Sequence, residues 1–327
     1  MTNFKSYSLF RISENSEIKI CSLFRILPSE ISQISERKLD SENSEIKTCG
    51  KLLRLPDTRG YILLVLFGFL LAKGFLFPLK DITVFWTIVF LLSGFAFSIN
   101  DCFDQKEDKF DTTKKNPLVS KKISFRKALT FSCFLAGLGL ILSSFYGLFV
   151  FLFCLLEVLS LLLYSSPPFR LKSKPLFDLI SHGLFAGVFI LLFPLLFFKI
   201  ELNPFYYLIA LSAFYFSIIL ELRNEYEDYE IDKAAGLKTT ACALGKQKTE
   251  SSLRYLAPFY SLSLLPIFYF LLIISPYNLA FLFFFLFFTL VFLFLFLAFK
   301  NHKLVKNYKL LDGYNILSYG LILIAVL

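Results

Sequence analysis

From residue 61 onward the chain alternates long apolar runs with short polar links, and no other feature limits its folding options so strongly. A helix needs about 20 mostly apolar residues to cross the hydrocarbon core of a bilayer. Nine runs fit that pattern, at 61–79, 82–99, 127–146, 148–164, 177–198, 205–222, 255–275, 277–299 and 313–327. In lipid, backbone N–H groups must be satisfied within their own segment, so the runs are read as helices. The expected fold is all-α: a polytopic membrane bundle of nine transmembrane helices with cytoplasmic cap loops. Composition agrees, with 56% hydrophobic and only 18% charged residues in a chain of 327. A pair of soluble domains of that length is excluded.

Residues 1–50 differ from the rest, being polar, rich in Ser and without an apolar run long enough to span a membrane. They contain a repeat: SENSEIKICSLFRILP at 13–28 returns as SENSEIKTCGKLLRLP at 41–56. Two copies fall short of a repeat architecture and are read as a tandem duplication. The expected division is therefore a polar extension at 1–50, disordered or interfacial, followed by the helical domain at 51–327. Six cysteines form no C-x-x-C pair and no metal-ligand spacing, so they are read as incidental thiols.

The net charge of +9 lies mostly between the apolar runs. That placement points to a membrane surface or an anionic substrate, not to nucleic acid. Lys106, Lys109, Lys114, Lys115, Lys121 and Lys122 follow the second run; Arg170, Lys172 and Lys174 follow the fourth; Lys233, Lys238, Lys246 and Lys248 follow the sixth. The alternate links carry almost no basic residues. Since cytoplasmic loops retain Lys and Arg, the N-terminus and every long polar loop are expected in the cytoplasm.

Two of those loops carry the same acidic pattern. Asn100, Asp101, Asp104 and Asp108 follow the second run, and Asn224, Glu225, Asp228 and Asp232 follow the sixth. Aligned on the Asn, both read N-[DE]-x-x-D-x-x-x-D-K. Offsets of three and four return to one helix face, so each loop is expected to extend its span by two turns and aim its acids one way. Carboxylates so close repel unless a cation sits between them. Oxygen ligands without clustered His or Cys point to Mg²⁺. Asp101, Asp104, Asp108, Glu225, Asp228 and Asp232 are the candidate ligands. Arg54, Arg59, Lys109, Arg170, Lys172, Arg223 and Lys233 are candidates for holding the outer oxygens of a diphosphate.

With these motifs in view, the chain over about 51–327 resembles the UbiA superfamily of intramembrane prenyltransferases. Asn100–Asp108 is similar to that family's first motif, N-D-x-x-D-x-x-x-D. Asn224–Asp232, with Gly236 and Thr239 after it, is similar to the second. The segment YSSPPFRLK at 164–172 resembles the family's Y-S-x-P-P-x-R-x-K. The chain departs from the common N-R-P-L-x-S-G in having Asn116-Pro117-Leu118-Val119-Ser120-Lys121. The resemblance implies Mg²⁺-dependent transfer of a prenyl group from a prenyl diphosphate donor to an aromatic or isoprenoid lipophilic acceptor, beside membrane lipid. Asp104, Asp108, Asp228 and Asp232 would be catalytic, Asn100 and Asn224 ligands or orienters, and Tyr164 a shield for the allylic cation.

Lys73, Glu157, Asp178, His182 and Glu221 lie inside apolar runs, where ionisable groups tend to face the bundle interior. Asp178 and His182 stand one turn apart and are candidates either for lining the acceptor cavity or for fixing helix packing. The alternative class is a secondary transporter, which places its acids near the bilayer midplane at broken helices. Acids at the ends of spans favour the enzyme. The P-loop pattern G-x-x-x-x-G-K-[ST] does not occur.

Overall fold

The computed structural model describes residues 47–111, 114–274, 283, 286–293 and 309–326. The chain divides into two units, Met1–Gly50 and Lys51–Leu327. In the first, only residues 47–50 are described, and they are helical; the extension expected at 1–50 otherwise lies outside the described residues. All that follows concerns the second unit.

Among the described residues that unit is all helical. Its elements are α1 (Arg59–Leu71), α2 (Leu79–Phe103), α3 (Phe125–Ser144), α4 (Leu148–Ser165), α5 (Phe177–Phe197), α6 (Pro204–Glu227), α7 (Tyr229–Ala235), α8 (Thr240–Leu244), α9 (Lys246–Ile274) and α10 (Lys309–Val326). Local chemistry sets many of their ends. Ser124 caps α3 by accepting from the Lys127 amide, and Asn203 caps α6 ahead of Pro204. The turn between α3 and α4 needs only Tyr146 and Gly147, because Gly147 takes φ 114°, a conformation open to a residue without Cβ.

Six helices, α2, α3, α4, α5, α6 and α9, are long and apolar enough to cross a membrane, so the count of nine is not recovered among the described residues. The first expected span is shortened to 13 residues, because Lys73 turns left-handed, Gly74–Leu76 tightens into a 3₁₀ turn, and Pro78 starts α2. The last expected span corresponds to α10, whose apolar part is short. Most of the eighth, 277–299, lies outside the described residues. Large side chains such as Phe134, Ile141 and Phe149 are exposed on α3 and α4, as suits surfaces that meet lipid tails.

Within lipid, helix association rests on close packing, since exposed apolar surface already has an apolar solvent. Glycines make the closest approaches. A Cβ on Gly68 of α1 would sit 2.6 Å from the Leu191 carbonyl oxygen of α5, and one on Gly187 of α5 would sit 2.7 Å from the Ala213 carbonyl oxygen of α6. The three helices are thus packed backbone to backbone. Gly187 lies in a π-helical stretch, Gly183–Phe189, inside α5. At the end of the bundle away from the acidic motifs, Phe85 stacks among Phe69, Phe193, Phe197 and Phe198, with ring centroids 5.3–5.6 Å away. Each such pair contributes about 0.5–1.5 kcal/mol beyond burial.

Candidate active site

The two acidic motifs end their helices in the same way. α2 stops at Phe103 and α6 at Glu227; the next residue, Asp104 or Asp228, takes φ −94° ψ 9° or φ −87° ψ 5°. Each Asp amide donates to the Asn carbonyl four residues earlier, Asn100 or Asn224, at 2.9 Å in both cases. The following acids, Asp108 and Asp232, donate their amides to the Asp104 and Asp228 carbonyls at 2.8 and 2.9 Å. The expected two-turn extensions therefore do not form. The first motif leaves its helix through turns at 105–110, and the second restarts as the separate α7. In the first motif the carboxylates take partners outside the helix, Lys172 for Asp104 and Asn116 for Asp108.

Both motifs open on one cavity of about 410 Å³. Asn100, Asp104, Asn224, Glu225, Asp228 and Asp232 all line it. Three cations are lodged there. The Lys172 ammonium donates to Asp104. Lys114 lies 3.4 Å from Asp108, and Arg54 lies 3.4 Å from Asp101. Burial opposes the charge on Lys114, but Asp108, Asp228 and Asp104 more than offset it and hold its ammonium above the ordinary range. Lys114 therefore feels both motifs at once. Arg170 stands behind them, 2.8 Å from Glu107 and 3.5 Å from Asp104.

Cations do not fully compensate the acids. Burial and the neighbouring Asp228 carboxylate push Asp232 from 3.8 up to about 7. Asp228 is raised by burial as well, although Lys114 pulls the other way. Glu107 Oε2 and Glu225 Oε1 are buried without a hydrogen-bond partner, and Asp108 Oδ1 has only the Lys114 ammonium at 3.4 Å. Among the described residues, no three His, Cys, Asp or Glu side chains converge into a ready-made metal cluster. The donors around the cavity are carboxylate and amide oxygens in two separate sets, which fits a hard cation that completes its shell with water and phosphate oxygens.

Below the motifs, the wall carries a chain of polar contacts. The Tyr164 hydroxyl donates to Glu221 Oε1, and Asn224 Nδ2 donates to Glu221 Oε2 at 3.4 Å. His182 Nε2 also lies 3.4 Å from Glu221 Oε2, while Ser217 Oγ sits 2.9 Å from His182 Nδ1. Tyr164, His182 and Glu221 all line the cavity. The deeper wall is mostly apolar, with Leu92, Phe153, Phe185, Phe189 and Phe193, and carries Glu157 among them.

Several expected residues are placed elsewhere. Arg59, Lys109 and Lys233 are exposed and do not line the cavity; Lys233 instead lies over the Tyr229 ring, 5.8 Å from its centroid. Lys109 and Lys233 each follow a motif Asp by one position, and one residue turns a helical chain by about 100°. Asp101 is turned to Arg54 and Asp108 to Asn116 and Lys114, and neither lines the cavity. Asp178, fully buried, accepts from the Thr240 amide and hydroxyl, both at 2.6 Å, and from the Leu179 amide at 2.8 Å. It latches α5 to α8 and does not line this cavity. Glu225 lines the cavity but gives Oε2 to the Ala241 amide at 2.9 Å.

Other site residues escaped the sequence reading. Lys114 looked like one of six loop lysines, and Glu107 like one of several loop acids. Asn116 folds their loop back, donating to Asp108 Oδ2 at 2.8 Å and to the Asp101 carbonyl at 2.9 Å. The unusual N-P-L-V-S-K segment supplied the signal, since its Asn makes these bonds.

A bundle of membrane-crossing helices with one aspartate-lined cavity at their polar ends is the architecture of an integral-membrane transferase. The profile of the UbiA prenyltransferase family matches residues 61–316, and the chain belongs to that family. It is thus a multi-pass membrane enzyme, a prenyltransferase. Among its relatives, the digeranylgeranylglyceryl phosphate synthase of Saccharolobus solfataricus is 27% identical over 199 residues, 61% of this chain and 69% of the relative. The enzyme of the same name from Methanococcus vannielii is 30% identical over 249 residues, 72% of this chain and 84% of its own. A solved UbiA homologue from Archaeoglobus fulgidus, bound to DMAPP and Mg²⁺, superposes with a TM-score of 0.62 at 21% identity, covering 84% of this chain and 99% of that one. This last likeness speaks to the fold.

Proposed function

We propose that the chain transfers a prenyl group from a prenyl diphosphate to the hydroxyl of a lipophilic glyceryl phosphate, at the cytoplasmic face of the membrane. The observation that carries this reading is the opening of two matched Asn–Asp helix ends on a single cavity whose deeper wall is aromatic. The A. fulgidus homologue's DMAPP and Mg²⁺ support the donor, and the relatives' shared name supports a glyceryl phosphate within the aromatic or isoprenoid range that the family resemblance left open. The Lys and Arg content of the cap loops supports the cytoplasmic face.

In this reading Asp104, Asp108, Asp228 and Asp232 hold Mg²⁺, with Asn100 and Asn224 orienting the two sets. Bound Mg²⁺ supplies positive charge to the leaving diphosphate. Lys172, Lys114 and Arg54 take its outer oxygens, and Arg170 positions Asp104 and Glu107. The allylic C–O bond breaks, its electron pair leaves with the diphosphate, and the acceptor oxygen bonds to the carbon and releases its proton. Charge stabilisation where the charge develops is the main source of rate. The ring faces of Tyr164 and Phe185 shield the cation, and the apolar wall keeps out water that would quench it.

The test uses membranes from cells expressing the full chain, supplied with Mg²⁺, geranylgeranyl diphosphate and geranylgeranylglyceryl phosphate, with products identified by mass. A doubly prenylated product that vanishes in chelator is expected. Absence of diphosphate release with geranyl, farnesyl and geranylgeranyl diphosphates alike would end the proposal.

A further inference from the structure

Glu157 has no role in the chemistry above. It lies on α4 two turns below Tyr164, on the cavity-facing stripe that also carries Phe153, Cys154 and Leu161. Seven residues of helix place it about 10 Å deeper than Tyr164. Its Oε2 is buried and has no hydrogen-bond partner. On α2, Ser93 stands the same seven residues below Asn100 and also lines the cavity. On α5, Phe189 and Phe193 line the cavity beside Phe153, with ring centroids 5.2 and 6.4 Å from it.

A carboxyl group is a costly element in a pocket meant only for hydrocarbon. Leaving a buried polar atom unpaired is unfavourable, and a bound hydrocarbon chain would seal that loss in. Water is a poor remedy, because an ordered buried water needs two to four polar partners and these walls are largely aromatic and aliphatic. Conversely, a site built to hydrogen-bond one substrate oxygen rejects the analogue lacking it by large factors, since its own polar group is then left unmatched. A group that can both donate and accept, held at a fixed depth beneath the reaction centre, is such a site.

We propose that Glu157 is a specificity-determining residue: it hydrogen-bonds an oxygen function carried partway along a substrate's isoprenoid chain, so that the pocket favours an oxygenated isoprenoid over a plain hydrocarbon of equal length. This rests on the reading that the diphosphate head binds between the two acidic motifs, since that anchor turns the depth of Glu157 into a position along the chain.

The experiment uses purified full-length protein in detergent with Mg²⁺ and non-reactive thiolodiphosphate analogues of geranyl, farnesyl and geranylgeranyl chains, each with and without a terminal hydroxyl. Inhibition of geranylgeranyl diphosphate turnover gives their affinities. At one chain length, the hydroxylated analogue is expected to bind at least tenfold tighter than its parent in the wild type. That preference is expected to disappear in Glu157→Leu and to survive, reduced, in Glu157→Gln, while affinities for the shortest plain analogue stay within twofold. A hydroxyl preference that is absent at every length, or equal in wild type and Glu157→Leu, overturns the role of Glu157 and leaves the diphosphate reading intact. If no analogue inhibits at all while turnover proceeds, the anchoring assumption fails and the proposal falls with it.

Discussion

Asp104 and Asp228 occupy equivalent stations. Each is the first residue past a long helix, each donates its amide to an Asn four positions earlier at 2.9 Å, and both side chains line one cavity. Their partners differ, for Asp104 receives Lys172 directly whereas Asp228 feels Lys114. If both hold metal, Asp104→Asn and Asp228→Asn each lower the rate of diphosphate release by about a hundredfold or more, the scale set by losing one preorganised charge-stabilising group. Thermal unfolding in detergent should change little for either variant. A full-rate Asp228→Asn enzyme would contradict the assignment.

Acidity gives a second expectation. Asp232 is pushed from 3.8 to about 7, first by burial and then by Asp228. Between those values the folded protein keeps a proton that the unfolded chain has released, so stability falls as pH rises through that window and levels off above it. In chelator, the melting temperature should drop from pH 5 to pH 7.5. Saturating Mg²⁺ should flatten or reverse the trend, because the ion binds the carboxylate form. A metal-free melting temperature that climbs with pH across this range counts against the half-buried acid pair.

Lys172→Met removes the cation that donates to Asp104. If it holds the donor's outer oxygens, KM for the prenyl diphosphate should rise by about tenfold or more, in line with a charge-assisted contact of about 1.5–3 kcal/mol. KM for the acceptor should stay within twofold, and initial-rate measurements with each substrate varied separate the two.

Asp178→Ala should behave differently. The Asp is fully buried and satisfies Thr240 twice, so the variant loses about 3 kcal/mol or more of stability through orphaned partners. Activity per folded molecule should be reduced far less than in the Asp104 variant. Unfolding midpoints and specific activity measured on the same sample decide this.

Lys121 holds φ 54°, a left-handed conformation that favours Gly, the residue with which the N-R-P-L-x-S-G pattern ends. Lys121→Gly relieves that strain at the cost of a more flexible unfolded chain, and a net gain of roughly 0.5–1 kcal/mol is expected. A destabilised variant would show that the lysine side chain contributes something beyond its backbone.

How far the sequence reveals this molecule depends on the range of the interactions involved. The runs that became α2 to α6 were legible because apolar continuity is a local property, and the two motifs because their spacing is. The helix breaks at Asp104 and Asp228 were hidden, since helical periodicity cannot register that a lysine 68 residues away claims the first Asp. Lys114 and Glu107 reach the cavity only because Asn116 folds their loop back. Asp178 could be read as a cavity acid or a packing group, and only Thr240, 62 residues later, decides for packing. Arg59, Lys109 and Lys233 were near in sequence and wrong in direction.

The contacts at Gly68 and Gly187 limit how such an enzyme can diversify. With α1, α5 and α6 touching through their main chains, the spacing of the wall that carries His182 and Glu221 cannot be widened by trimming side chains, and it cannot accept even one added methyl group. Lineages that switch to bulkier substrates would therefore have to recruit changes on α2 and α4, where ordinary side chains still set the width of the chamber.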